Sequence, residues 1–151
     1  MTQRIQAKAS HRFSLKPEHV YDAWLNPEKV RIWLSSSLKV GGLPGDVRQI
    51  QIEPHVGGKF LFSDFRNGQE VQHWGKYLEL KRPHLIAFTW IVDASQESDP
   101  SKVTITFVPD GAGCVVTIVH EMDAAWIEYV PRTEQGWTRM LNAIEAMPHA
   151  D

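Results

Sequence analysis

The sequence contains a single cysteine, Cys114, and no long run of apolar residues. One cysteine excludes an intrachain disulfide and agrees with a reducing compartment such as the cytosol. No apolar stretch approaches the roughly 20 residues that a transmembrane helix needs. The first residues, MTQRIQAKASHRF, are polar and charged and lack the apolar segment of a signal peptide. We therefore expect a cytoplasmic protein without a membrane span.

An excess of charge of either sign is also missing. The formal net charge is −2, so the chain offers no basic surface for nucleic acid. The histidines are scattered, and His120-Glu121 begins a zinc motif that fails because Ala124 stands where the second histidine is needed. Residues 41–45 lack the lysine of a phosphate loop, and Ser35–Ser37 lack the glycines of a nucleophile elbow. We expect no nucleic acid partner, no metal and no cofactor, with Ser35–Ser37 in a solvated loop.

Tryptophan is the residue that the sequence has in unusual amount. Six tryptophans in 151 residues indicate an aromatic-rich interior or a pocket with aromatic walls. A chain of this length is most simply one domain, residues 1–151, and is long enough to bury a sizeable core.

Residues Pro131 to Met147 have the pattern of an amphipathic helix. Apolar side chains recur at steps of three and four, which places them on one face. These residues are Trp137, Met140, Leu141, Ile144 and Met147. Gly136 lies inside this helix, where glycine costs about 1 kcal/mol relative to alanine. We interpret it as a site of close approach, either of the helix to a sheet or of a ligand to the helix backbone.

Alternation of apolar and polar residues before this helix predicts a first strand and about six further strands. The predicted strands are Ile5–Leu15, Val47–Ile52, Lys59–Asp64, Val71–Leu80, Leu85–Val92, 103–108 and 116–122. Pro17 and Asn26-Pro27 predict two short helices within residues 17–34, and the serine- and glycine-rich residues 35–46 predict a loop. Asn67-Gly68 is the strongest hairpin signal. Short connections between strands indicate an antiparallel sheet and an α+β fold.

Short segments spread over nearly the whole chain form a series in a specific order. They are Val20–Trp24 with Asn26–Glu28 and Trp33, Val56–Phe60, Gly75–Leu80, Arg82-Pro83, Phe88–Trp90, Val103–Phe107, Thr117, His120-Glu121, and Gly136-Trp137 with Leu141. This series resembles the Activator of Hsp90 ATPase homologue 1-like family, which is part of the START-like (SRPBCC) helix-grip superfamily. The resemblance implies a curved antiparallel sheet of six to seven strands around a long C-terminal helix, with two short helices after the first strand. It also implies a hydrophobic cavity between sheet and helix.

The alternation and the resemblance together predict which residues line that cavity. The set is Trp33, Phe60, Phe62, His73, Tyr77, Phe88, Trp90, Phe107, Ile118, His120, Gly136, Trp137, Met140 and Ile144. His120 shares a face with Val116 and Ile118, so it should point toward the helix, either as a core histidine bonded to protein groups or as a polar anchor for a ligand. Our leading prediction is a small protein that binds an apolar or aromatic small molecule.

Other functions stay open from the sequence alone. A cyclase- or hydrolase-type enzyme would use His120, Tyr77 or His73 for proton transfer, provided that these side chains lie on one face. Residue types do not decide this question, and we favour a binding protein over an enzyme. The resemblance alone suggests a co-chaperone-like or regulatory partner of an Hsp90-type ATPase. Homodimerisation would use an exposed sheet edge or the apolar residues Trp126, Ile127 and Tyr129.

Overall fold

An antiparallel sheet of seven strands forms the framework of residues 3–148, the part of the chain that the computed structural model describes. The strands are β1 Arg4–Phe13, β2 Asp46–Ile52, β3 Lys59–Arg66, β4 Gln69–Lys81, β5 Leu85–Trp90, β6 Ser101–Asp110 and β7 Gly113–Asp123. Their order in the sheet is β1-β7-β6-β5-β4-β3-β2. Strands β2 to β7 therefore form a meander, and β1 closes the sheet by pairing with β7. The predicted α+β helix-grip fold is confirmed.

Three helices accompany the sheet in the described residues. They are α1 Pro17–Leu25, α2 Pro27–Val40 and α3 Val130–Ala146, with short 3-10 segments at Ala94–Gln96 and Ala124–Tyr129. The side-chain oxygen of Asn26 accepts hydrogen bonds from the backbone N–H groups of Glu28 at 2.9 Å and Lys29 at 3.3 Å. Asn26 is thus the N-cap predicted for the second helix. The long C-terminal helix is also confirmed, beginning one residue before its predicted start.

The loop predicted over residues 35–46 is wrong for residues 35–40, because α2 continues to Val40, whereas residues 41–45 do form the connection to β2. Ser37 is buried within this helix, and its hydroxyl donates to the Leu34 carbonyl at 2.9 Å. The Ser35 hydroxyl donates to the Gly45 carbonyl at 2.7 Å. Serine is a weak helix former because its hydroxyl competes for backbone partners. Here both hydroxyls have found such partners while the helix persists, so Ser35–Ser37 are not in a solvated loop.

The alternation in β6 and β7 and the hairpin at Asn67-Gly68 are confirmed. Asn67 and Gly68 have φ angles of 50° and 79°, as a two-residue hairpin turn requires. Along the last two strands every second side chain is buried beneath the helices: Val103, Ile105, Phe107, Val116, Ile118, His120 and Met122. The concave face of the sheet therefore carries the core, and α3 lies across it.

Helix side chains cover part of both edges of the sheet. The backbone N–H of Lys8 in β1 donates to the carboxylate of Glu134 on α3 at 2.8 Å. The guanidinium of Arg31 on α2 donates to the carbonyl of Val47 in β2 at 3.0 Å. Satisfied edge groups are poor templates for another strand, which disfavours a dimer formed by pairing of sheet edges.

Candidate functional site

The middle of the concave face is filled by aromatic rings. A space of about 10 Å³ remains there, lined by Trp24, Leu25, Phe60, Phe62, Tyr77, Ile86 and Phe88. Such a volume accommodates about one water molecule. The ring of Phe60 fills this region, with ring centroids at 5.3 Å from Phe88 and 5.5 Å from Tyr77. A small metabolite does not fit in the middle of the sheet as it stands.

A larger cavity of about 680 Å³ lies at one end of the sheet, where the chain enters α3. We call it the end cavity. Its lining comes from the strands β1, β4, β5, β6 and β7, from both 3-10 segments, and from the first turn of α3. The lining residues are Arg4, His73, Trp90, Val92, Ser95, Gln96, Asp99, Ser101, His120, Met122, Asp123, Trp126, Tyr129, Arg132 and Thr133.

Aromatic rings form much of the wall of the end cavity. The imidazole of His73 stacks on Trp90 with ring centroids 5.0 Å apart and an interplanar angle of 23°. Trp126 and Tyr129, with centroids 5.4 Å apart, lie on the 3-10 segment before α3. Both are 44% exposed and therefore form the rim that faces solvent. The cavity thus has a ring wall that starts in the core and reaches the surface.

His120 is held in one tautomer by its neighbours. The indole Nε1 of Trp137 donates to His120 Nδ1 at 3.1 Å, and an indole nitrogen can only donate. Nδ1 is therefore the unprotonated acceptor, and Nε2 carries the proton that it donates to Ser101 Oγ at 3.0 Å. The Ser101 hydroxyl in turn donates to the Trp90 carbonyl at 2.7 Å. Burial lowers the pKa of His120 to about 4.

These bonds decide between the two interpretations of His120. Both ring nitrogens are engaged with protein groups, so the histidine ties α3 to β7 and β6 and has no acceptor left for a substrate proton. It behaves as the core histidine bonded to the protein.

His73 differs from His120 because its ring nitrogens make no hydrogen bond within residues 3–148. Burial lowers the pKa of His73 to about 4, and the positive charge of Arg66 acts in the same direction. The ring is therefore neutral near neutral pH, with one nitrogen able to donate and the other able to accept. His73 contributes free hydrogen-bonding capacity, but no charge, to the end cavity.

Four charged residues line the end cavity, and they differ in how they are paired. The guanidinium of Arg4 donates to the Asp99 carboxylate and, at 3.2 Å, to the Pro100 carbonyl. The Asp123 carboxylate accepts a backbone hydrogen bond from Ala125 at 2.9 Å. The guanidinium carbon of Arg132 lies 5.8 Å from the ring centroid of Tyr129. No ion pair or side-chain hydrogen bond involves Arg132 in the described part of the chain.

The structure distributes the predicted cavity residues over several environments. His73, Trp90 and His120 line the end cavity, and Trp137 lies directly behind His120 and Trp90. Phe60, Phe62, Tyr77 and Phe88 surround the small central space. Trp33, Phe107, Ile118 and Ile144 are fully buried core residues, and Met140 packs against that core.

The interpretation of Gly136 as a close approach of helix to sheet is wrong. Apart from its chain neighbours and the nearby backbone of its own helix, a Cβ atom placed on Gly136 would meet no atom of residues 3–148 within 4 Å. The approach of a ligand to this backbone stays a prediction.

Sequence reasoning missed much of the lining of the end cavity. Trp126 and Tyr129 stood out as unusually apolar for a connection, but only as candidates for a dimer contact. Arg132 falls on the helix face opposite the apolar stripe, whereas Thr133 lies four residues before Trp137 on the same face as the stripe but is polar. Their role as lining depends on where the chain turns into α3.

The three residues proposed for proton transfer do not form one catalytic set. The register pairs Phe62 with His73 and Tyr77 with Phe88, so all three lie on the concave face. Tyr77, however, lines the central space, while His73 and His120 line the end cavity. Burial raises the pKa of the Tyr77 hydroxyl above its usual value, and both nitrogens of His120 are engaged.

Within residues 3–148 no group of three or more histidine, cysteine or acidic side chains is placed to hold a metal ion; His149 lies outside the described residues.

Comparison with known proteins supplies the family and the fold. Residues 14–148 match the model of the Activator of Hsp90 ATPase homolog 1-like protein family. A Chromobacterium violaceum protein of known structure is 24% identical with a TM-score of 0.78, covering 97% of this chain and 98% of that chain. A protein of unknown function from Staphylococcus aureus is 18% identical, with a TM-score of 0.76 and 95% coverage of each chain. An HSP90 activator from Plasmodium falciparum is 23% identical, with a TM-score of 0.64 and coverage of 96% and 94%. No curated protein matches this chain.

Within the described residues, no helix is both long enough and apolar enough to cross a membrane.

Proposed function

The chain belongs to the Activator of Hsp90 ATPase homolog 1-like family, and from that premise we propose that it is a single-domain cytoplasmic protein that binds an aromatic small molecule in the end cavity. The observation that carries the proposal is a cavity of about 680 Å³ with tryptophan and tyrosine rings in its wall. Sites for small ligands typically have volumes of about 300–1,000 Å³ and combine apolar walls with a few polar groups.

The ligand is placed in the end cavity and not in the middle of the sheet, where the sequence predicted the cavity. Large rings on a curved sheet were expected to leave space under the helix, but Phe60 and its neighbours fill that space. At the end of the sheet the ring wall continues through Trp90 to Trp126 and Tyr129, and no other element of residues 3–148 covers it. His73 supplies the polar contact that orients a ligand, because its nitrogens have no partner among the described residues.

Thermal unfolding in the presence of a panel of aromatic and lipid-like compounds tests this function, with isothermal titration for each compound that raises the melting temperature. Trp126→Ala should weaken binding about 2- to 10-fold, because an aromatic contact contributes about 0.5–1.5 kcal/mol. Ile127→Ala is the matched control, since Ile127 is adjacent and exposed but does not line the cavity. Failure of every compound, or equal loss in both variants, would contradict the proposal.

A second candidate is a co-chaperone of an Hsp90-type ATPase. It is supported by the family match over residues 14–148 and by the fold shared with the Plasmodium falciparum activator. Purified protein added to an Hsp90 from the same organism should raise its ATPase rate and co-elute with it. Absence of both effects would remove this candidate, and the end cavity would retain its own proposed function.

A further inference from the structure

We propose that the ligand of the end cavity is an aromatic carboxylate whose anionic group pairs with Arg132. This inference rests on the proposed binding function and names the chemical class of the ligand.

The other charged groups of the end cavity have partners within the protein, so the guanidinium of Arg132 is available to a ligand. Arg4 is already bonded to Asp99 and to the Pro100 carbonyl. The Asp123 carboxylate accepts a hydrogen bond from the backbone of Ala125. Arg132 alone among these charged groups has neither an ion pair nor a side-chain hydrogen bond within residues 3–148. The ring of Tyr129 lies beside it, with its centroid 5.8 Å from the guanidinium carbon.

The position of Arg132 suits a planar anion. A guanidinium near an aromatic face gains a cation–π attraction, and its N–H groups remain available at its edge. A carboxylate matches two of these parallel donors. Because Arg132 and the rings of Trp90, Trp126 and Tyr129 line the same cavity, a ring that bears a carboxylate on a short arm can make both contacts.

Arg132 should determine whether the cavity binds an acid more tightly than its neutral analogue, because none of the other polar groups favours the acid. His73 is uncharged near neutral pH and can donate one hydrogen bond to an acid or to an amide alike. Asp123 acts against an anion and would favour a cation. An ammonium compound is therefore the informative third probe, because its preference would assign the dominant charge to Asp123.

The test compares three probes of the same ring: indole-3-acetate, indole-3-acetamide and tryptamine, by isothermal titration at neutral pH and low salt. We expect the acetate to bind about 10-fold tighter than the acetamide, as charge-assisted hydrogen bonds imply. Raising the salt concentration should weaken only the acetate.

Arg132→Gln should abolish the preference, and Arg132→Lys should retain part of it because the charge stays while the fork geometry is lost. Arg139→Gln is the matched control, since Arg139 lies on the same helix but outside the end cavity. The side chain of Arg132 makes no hydrogen bond or ion pair within residues 3–148, and circular dichroism would verify that the variants fold.

Equal binding of acetate and acetamide, or an unchanged preference in Arg132→Gln, would overturn the inference and leave the proposed function intact. Tighter binding of tryptamine would also overturn it. If none of the three probes binds, the inference fails. The proposed function fails as well only if the wider compound panel is negative.

Discussion

Acid should weaken this fold through His120. Protonation would place a hydrogen on Nδ1, the atom that now accepts the hydrogen bond from Trp137 Nε1. The doubly protonated ring has no acceptor, so the indole N–H would lose its partner inside the core. The pKa of His120 is about 4 in the folded protein, against 6.5 for an ordinary histidine. The unfolded chain therefore takes up the proton first, and stability falls as the pH drops below about 6.5.

Linkage gives the magnitude of this effect. A histidine with these two pKa values loses about 2 kcal/mol of unfolding free energy between pH 7 and pH 5, and the loss levels off below about pH 4. His73, whose pKa is also about 4, adds up to a similar amount. Carboxylates contribute little in this window. The hydrogen bond from Arg82, for example, lowers the pKa of Asp22, so its stabilising effect is lost only at lower pH.

Urea unfolding at pH 7, 6 and 5, followed by tryptophan fluorescence, measures the effect in the parent protein and in His120→Asn. Asparagine keeps a hydrogen-bond acceptor near the position of Nδ1 but does not titrate. The variant should be less stable at pH 7 by about 1–2 kcal/mol, yet should lose about 2 kcal/mol less than the parent between pH 7 and pH 5. His84→Asn, at an exposed position, controls for the loss of one imidazole. An unchanged pH dependence in His120→Asn would refute the conclusion that burial keeps His120 neutral in the folded protein.

Three further substitution experiments and one labelling experiment test local features. Asn26→Ala removes the N-cap of α2 and should lower the unfolding free energy by about 1 kcal/mol; no change in urea midpoint would contradict the capping role. Gly136→Ala should raise it by about 1 kcal/mol, because a Cβ meets nothing there; a lower midpoint would mean that the site is crowded. Gly75→Ala should lower it by about 2 kcal/mol, since its Cβ would clash with the backbone of Thr89. Burial raises the pKa of the Cys114 thiol to about 11, so a thiol reagent should label it only after urea unfolding, and rapid labelling of native protein would contradict this.

Much of the fold could be predicted because its signals are local. Asn67-Gly68 specifies a tight turn through backbone conformation alone, and the alternation from Val116 through His120 to Met122 marks one face of a strand. The error over residues 35–46 has the opposite origin. Serine and glycine content predicted a loop, whereas residues 35–40 continue α2, where Leu34 packs in the core and the Ser35 hydroxyl bonds the Gly45 carbonyl, contacts that only the folded chain provides.

The candidate site was harder to predict because a cavity is the volume that the packed side chains do not fill. The sequence predicted that Phe60 and Trp90 point between sheet and helix; both lie among the rings of the concave face, and Trp90 contacts Trp137 of α3. It could not show that the ring of Phe60 fills the centre while Trp90 opens onto the end cavity. Nothing in the sequence distinguishes Arg132 from the other charged residues of its helix face. Its proposed role depends on the pairing of Arg4 with Asp99 and on the position of Tyr129 beside its guanidinium.

The amino-acid sequence by itself determined the α+β fold and the inward direction of His120, because periodicity, caps and turns act over a few residues, and its resemblance to the family implied the helix-grip arrangement. Tertiary structure alone decided where a ligand would bind and which polar groups are free to meet it. Those properties depend on contacts between distant segments, such as the bond from Trp137 on α3 to His120 on β7. The long-range packing that fills the middle of the concave face with aromatic rings does not fill the end cavity.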